Sequence, residues 1–199
     1  MPRKRRIILP EVTYHTTSRC IEKKPLMGST AMKDLMISVL QMTAQKYTYN
    51  LITYSIMDNH FHFYIQTCKE GESISRIMQF IKSQFARRYN RLMNRTGPFW
   101  NERFSDTIIE LHRSPETAFF SVLFYIFFNP VRSRYVADPR DYPYTSIRCY
   151  LDETYVSPVP ITLHDYFMKL GDTFEERVRK LLEYEELYRK RIFPESMFA

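Results

Sequence analysis

Only three of the 199 residues are cysteine, Cys20, Cys68 and Cys149, and none stands in a Cys-x-x-Cys pair. An odd, dispersed set excludes a disulfide framework and a zinc knuckle and fits a reducing, cytoplasmic setting. Long hydrophobic runs are lacking as well. The longest strongly apolar stretch, Ala118 to Phe128, is too short to span a bilayer, so no membrane is expected among the partners. The basic start Pro2-Arg3-Lys4-Arg5-Arg6 is followed only by Ile7-Ile8-Leu9 before Pro10, which is less than a secretion signal needs. The G-x-x-x-x-G-K-[ST] phosphate loop is missing, which argues against nucleotide hydrolysis. There is no internal repeat and no low-complexity tract.

What is present is ordinary globular material, 44% hydrophobic and 26% charged, enough for one domain with an appendage. We divide the chain into a domain over 1–150 and a helical extension over 151–199. The net charge of +7 and pI near 9.3 favour polyanions through counterion release, although a basic surface alone does not require one.

Val12 to Cys20 is β-branched and aromatic and reads as a strand. Ala31 to Tyr47 has helical spacing of Leu35, Met36, Val39, Leu40, Met42 and Thr43. Leu51 to Met57 and Phe61 to Thr67 read as a hairpin about the Asp58-Asn59 turn. Ser73 to Met93 is a long helix with Ile74, Ile77, Met78, Ile81, Phe85 and Tyr89 on one face and Arg76, Lys82, Arg87, Arg88 and Arg91 on the other. Phe99 to Leu111 reads as a fourth strand. A helix capped by Ser114 with Pro115 at its first position runs to about Asn129, because Pro130 disfavours helix at the residue before it. Residues 139–160 are irregular, and a capping box of Thr173 with Glu176 opens a last helix with Phe174, Val178, Leu181, Leu182, Tyr184 and Tyr188 as its apolar stripe. The order predicts an α+β, ferredoxin-like split βαβ sheet with both crossover helices on one face and an open face opposite.

On a strand, side chains alternate. Phe61, Phe63 and Ile65 therefore face the core, while His60 and His62 project together from the open face, close enough for one divalent ion. An isolated His-x-His is more often two polar residues on an exposed strand. Tyr125 and Asn129 stand one helical turn apart and share a face. Tyr125 alone reads equally as core, with Phe119, Phe120, Leu123, Phe124, Phe127 and Phe128 about it. But a helix apolar nearly all round must be buried on most sides, and an open sheet face offers it a place. That would carry Tyr125 and Asn129 over the histidines. Two neutral imidazoles and an amide oxygen suit Mg²⁺ or Mn²⁺ acting on phosphate oxygens, with Tyr125 as the nucleophile.

Several blocks carry a resemblance. Asn59-His60-Phe61-His62-Phe63, Phe99-Trp100-Asn101-Glu102-Arg103-Phe104, Tyr125-Ile126-Phe127-Phe128-Asn129-Pro130-Val131-Arg132 and Tyr14-His15-Thr16-Thr17-Ser18-Arg19 together resemble the HUH single-strand transposases, nearest to the REP-associated tyrosine transposases. The resemblance implies a metal held by His60, His62 and Asn129, Tyr125 as nucleophile, and cleavage and rejoining of single-stranded DNA near a hairpin through a 5′-phosphotyrosine. It implies a basic DNA-binding surface, for which we single out Arg3, Lys4, Arg5, Arg6, Arg87, Arg88, Arg91, Arg103 and Arg132, and a monomer with a self-contained site or a homodimer. Three departures stand out: Asp58 where the family has Pro, Cys20 where it has Gly, and Ser133-Arg134-Tyr135-Val136 where it has Ala-Gly-Leu-Val. The competing readings are a binding module for structured DNA or RNA that cleaves nothing, and a phosphodiesterase using metal-bound water.

Overall fold

The computed structural model describes residues 6–193. Arg3, Lys4 and Arg5 lie outside them. The chain runs β1 (Thr13–Arg19), α1 (Thr30–Lys46), β2 (Tyr49–Ile56), β3 (His60–Thr67), α2 (Ile74–Leu92), β4 (Ser105–Ile108), α3 (Pro115–Phe127), α4 (Asn129–Arg132), α5 (Asp165–Met168) and α6 (Phe174–Ile192). The four strands form one antiparallel sheet in the order β2-β3-β1-β4, the split βαβ arrangement expected from the element order.

The two faces of the sheet hold different cores. Beneath it, Phe61, Phe63 and Ile65 of β3 pack with Met36, Val39 and Leu40 of α1 and with Ile74, Ile77, Met78, Ile81, Phe85 and Tyr89 of α2. The stripe read from the α2 sequence is the buried face. Above it, Ile52 and Tyr64 pack with Phe119, Leu123, Phe127 and other side chains of α3, and this second core continues through Tyr150, Phe167, Leu181 and Tyr188. The extension after residue 150 thus completes the same core that α3 begins.

Three expectations need correction. The fourth strand is four residues long, not the whole of Phe99 to Leu111. Phe99 and Trp100 turn inward to pack on Phe85, with the Trp100 indole N–H donating to the Lys82 carbonyl at 2.9 Å, so the backbone there forms only a single bridge, Cys20 to Trp100. The tyrosine helix does not run on to Asn129. It breaks at Phe128 (φ −85°, ψ 1°), and α4 begins at Asn129 with Pro130 in its first turn, where a missing N–H costs nothing. Finally, Leu182 falls outside the α6 stripe and is exposed. The inward position belongs to Glu185, paired with Arg140 at 2.7 Å and Arg189 at 2.8 Å. The capping box of Thr173 and Glu176 is present.

Candidate active site

Antiparallel pairing of β1 with β3 sets Thr17 opposite His62 and Arg19 opposite His60. On β1 the side chains of His15, Thr17 and Arg19 therefore share the upper face with the two histidines of β3. His15 is the residue that sequence reasoning passed over. Its Nε2 lies 2.9 Å from Nδ1 of His62, and the two rings stack at 5.1 Å. Period-two alternation was the available signal, but β1 alone does not reveal which strand lies beside it.

α3 crosses above. The Tyr125 ring meets His62 edge-on at 5.3 Å between centroids and His15 at 5.8 Å. The kink at Phe128 turns Asn129 inward, where its Nδ2 sits 3.1 Å from Nε2 of His62. Arg132 follows, its guanidinium carbon 5.1 Å from the centre of the Tyr125 ring. All these groups come from one chain.

The contacts fix the tautomers. Asn59 donates Nδ2 to the Lys23 carbonyl at 3.0 Å, so its Oδ1 faces His60 and accepts the Nδ1 proton at 2.7 Å. His62 accepts from Asn129 at Nε2 and so donates from Nδ1 to His15. In both residues the Nδ1 side is committed, leaving Nε2 with the lone pair, the arrangement by which metal-ligating histidines are oriented. Burial pushes the His60 imidazole down to about 4, with the neighbouring Arg19 charge adding to it, and burial likewise takes His15 to about 4. His62 is lower than the ordinary range for the same reason, with His15, His60 and Arg19 contributing. At neutral pH all three rings are uncharged.

A hard divalent ion fits this donor set. Asn129 Oδ1 is buried and has no partner. Among the described residues no group of three His, Cys, Asp or Glu side chains could hold a metal ion, so a third ligand beside His60 and His62 would be of another residue type, such as the Asn129 amide, whose Nδ2 stands 3.1 Å from His62 Nε2.

The proposed DNA contacts are scattered. Arg132 stands at the site, and Arg19, which sequence reasoning omitted, is exposed beside His60. Arg103 is exposed on the wall of a cavity of about 500 Å³ beside β4. Arg6 lines the same cavity, but its guanidinium pairs with Asp106 and stacks on Phe104 at 3.5 Å. Arg87, Arg88 and Arg91 ride on α2, beneath the sheet and away from the histidines; Arg88 reaches Met42 Sδ at 2.9 Å.

Residues 9–117, more than half of the chain, match the family model described as IS200-like transposase. The chain belongs to the IS200-like transposase family. That matched segment carries the His-x-His strand and ends before Tyr125 and Asn129. Over 118 residues the chain is 25% identical to a Haemophilus influenzae protein named for the REP-associated tyrosine transposases, covering 55% of this chain and 65% of that protein. The chain thus spans just under two thirds of that relative. A solved structure of a REP-associated tyrosine transposase bound to a REP hairpin shares the fold, with a TM-score of 0.64 at 15% identity over 81% of this chain and 92% of the other. Among the described residues of this family member no helix is long and apolar enough to cross a membrane.

Proposed function

We propose that this IS200-like protein is a metal-dependent strand transferase that cuts and rejoins single-stranded DNA beside hairpins, with Tyr125 as the nucleophile. What carries the reading is the meeting of the Tyr125 ring with His62 and His15 under a roof that also supplies Asn129 and Arg132. A binder of structured DNA has no use for a phenol against paired neutral imidazoles. The name of the curated relative and the hairpin bound in the structural neighbour agree with hairpin DNA as the substrate.

His60, His62 and Asn129 would hold Mg²⁺ or Mn²⁺, which supplies Lewis-acid polarisation of the scissile phosphate. The chain's own groups do the rest. The kink at Phe128 aims Asn129 at the histidines, and His15 and Asn59 orient the imidazoles so that Nε2 is presented. Tyr125 Oη attacks phosphorus in line; the P–O3′ bond breaks as the Oη–P bond forms. The phenol gives up its proton and the departing 3′ oxygen takes one up, so the products are a 5′-phosphotyrosine and a free 3′-hydroxyl. Attack by a 3′-hydroxyl on the same phosphorus reverses the step. One phosphodiester bond is exchanged for another, so no nucleotide cofactor is required. The Arg132 guanidinium lies over the Tyr125 ring and steadies it by a cation–π contact.

Incubation with Mn²⁺ and a pool of single-stranded hairpins should yield a protein–DNA species that survives denaturation. Tyr125→Phe should abolish that species and leave hairpin binding within about twofold, because only a hydroxyl is lost. Adduct formation by Tyr125→Phe would remove Tyr125 from its role. Release of two free ends without any adduct would favour hydrolysis by metal-bound water.

A further inference from the structure

The helical extension meets the proposed active site at the Asn129 corner. Phe128, the residue at which α3 breaks, is fully buried. Its ring lies 5.4 Å from that of Tyr188 between centroids, and the guanidinium carbon of Arg189 stands 4.6 Å from its centre. Both partners come from α6. Arg189 is held along its edges: Nε donates to Glu185 Oε1 at 2.8 Å and Nη2 to Asp138 Oδ2 at 2.9 Å. Arg140 bonds the same two carboxylates. Its Nη2 donates to Glu185 Oε2 at 2.7 Å, and its Nη1 to both oxygens of Asp138 at 3.0 Å. Two carboxylates and two guanidiniums thus close a ring in which each charge has two opposite neighbours.

The ring joins two pieces of chain. Asp138 and Arg140 belong to the segment that follows α4, and Glu185 and Arg189 belong to α6. Glu185 is 4% exposed, so its charge is tolerable only with both guanidiniums in place. Buried ion pairs seldom give more stability than apolar packing of the same volume; what this ring adds is one orientation for the Arg189 fork over Phe128. The Phe128 backbone is held as well. Its amide donates to the Phe124 carbonyl at 2.8 Å, and its carbonyl accepts from the Arg132 amide at 2.9 Å. With ring and backbone both fixed, the next residue has little freedom, and Asn129 Nδ2 meets His62 Nε2 at 3.1 Å.

We propose that the ion ring of Asp138, Arg140, Glu185 and Arg189 is a clasp by which α6 positions Asn129. The helical extension is then part of the construction of the active site. Arg189 is the positioning residue: it touches no reacting group and acts through Phe128. The clasp rests on the proposed reading of His60, His62 and Asn129 as metal ligands.

The test uses the full chain with Arg189→Met, which keeps an apolar stem over Phe128 and removes the fork. Arg179→Met, on the exposed side of the same helix, is the control. Mn²⁺ affinity is read at neutral pH from the electron paramagnetic resonance of the free ion, alongside thermal melting. Arg189→Met should bind Mn²⁺ about fivefold more weakly, the scale of coupling through a packed network, while Arg179→Met should match the unaltered chain. In the metal-free protein the ¹⁵N resonance of His62 Nε2, which accepts from Asn129, should move in Arg189→Met toward that of an unbonded ring nitrogen. Asp138→Asn opens the ring at a side chain that is 37% exposed, should move the same resonance the same way, and carries the test should Arg189→Met fail to fold. A lower melting temperature with an unmoved His62 resonance makes the ring merely structural and overturns the clasp, leaving the proposed function standing. Equal displacement in Arg179→Met overturns it as well. Should the unaltered chain bind no Mn²⁺, the metal site fails instead, and the His62 resonance alone decides the clasp; it also decides where affinity and resonance differ.

Discussion

Arg134 adopts φ +60° at the end of α4, a conformation that costs a residue with a Cβ about 1 kcal/mol or more. The position is fixed by its neighbours. The Tyr135 amide bonds back to the Pro130 carbonyl at 2.9 Å and the Arg134 amide to the Val131 carbonyl at 2.9 Å, the paired bonds of a Schellman turn, whose left-handed residue is usually glycine. The resembling family carries glycine there. Arg134→Gly should therefore raise the unfolding free energy by about 1 kcal/mol, a shift that urea titration resolves. A decrease would mean that the Arg134 side chain makes a contact worth more than the strain. His62 is the opposite kind of residue, fixed by contacts on both ring nitrogens, and the one from His15 was not legible in the sequence because the β1–β3 register is a property of the sheet. Lys33 was equally hidden: its helical spacing is that of an ordinary surface lysine, and only the tertiary turn at Asp58 supplies its partner.

Elements with one strong period were legible. The α2 stripe from Ile74 to Tyr89 follows from 3.6-residue spacing, and the β2–β3 hairpin from alternation about Asp58-Asn59. The segment Phe99 to Leu111 was not, because aromatic residues favour a strand and a packed loop alike, and tertiary contacts of Phe99 and Trp100 decided the matter. The end of α3 was misread because Pro130 was taken as a stop, whereas proline at the start of a new helix is at home. That α3 covers the upper face followed from its being apolar all round. Leu123 is fully buried there among Ile52, Tyr64 and the neighbouring phenylalanines. Leu123→Ala should cost about 2–5 kcal/mol in denaturant unfolding, the range for a truncated core leucine. A cost below about 1 kcal/mol would mean that the helix is loosely seated and that Tyr125 is free to leave His62.

For the whole molecule, the neutral imidazoles set an acid limit. His15 and His60 titrate at about 4 when folded against 6.5 when free. Between these values the unfolded chain binds more protons than the folded one, so stability falls as pH drops from 6.5 toward 4 and is level with respect to these groups above 6.5. Melting temperatures should decline through that window, and replacing His15 by Gln should flatten the decline; an identical slope would mean that His15 is not held neutral. The layered architecture has a further consequence for biosynthesis. The β2–β3 hairpin and β1 can pair once Thr67 has left the ribosome, but Ile52 and Tyr64 on the upper side of that sheet stay bare until α3 follows, and α3 in turn shows Phe120 and Phe124 to water until Tyr184 and Tyr188 of α6 arrive. The nascent chain is thus sticky until α6 has emerged, and a holdase chaperone would find its binding surface in the half-made domain rather than in the finished one.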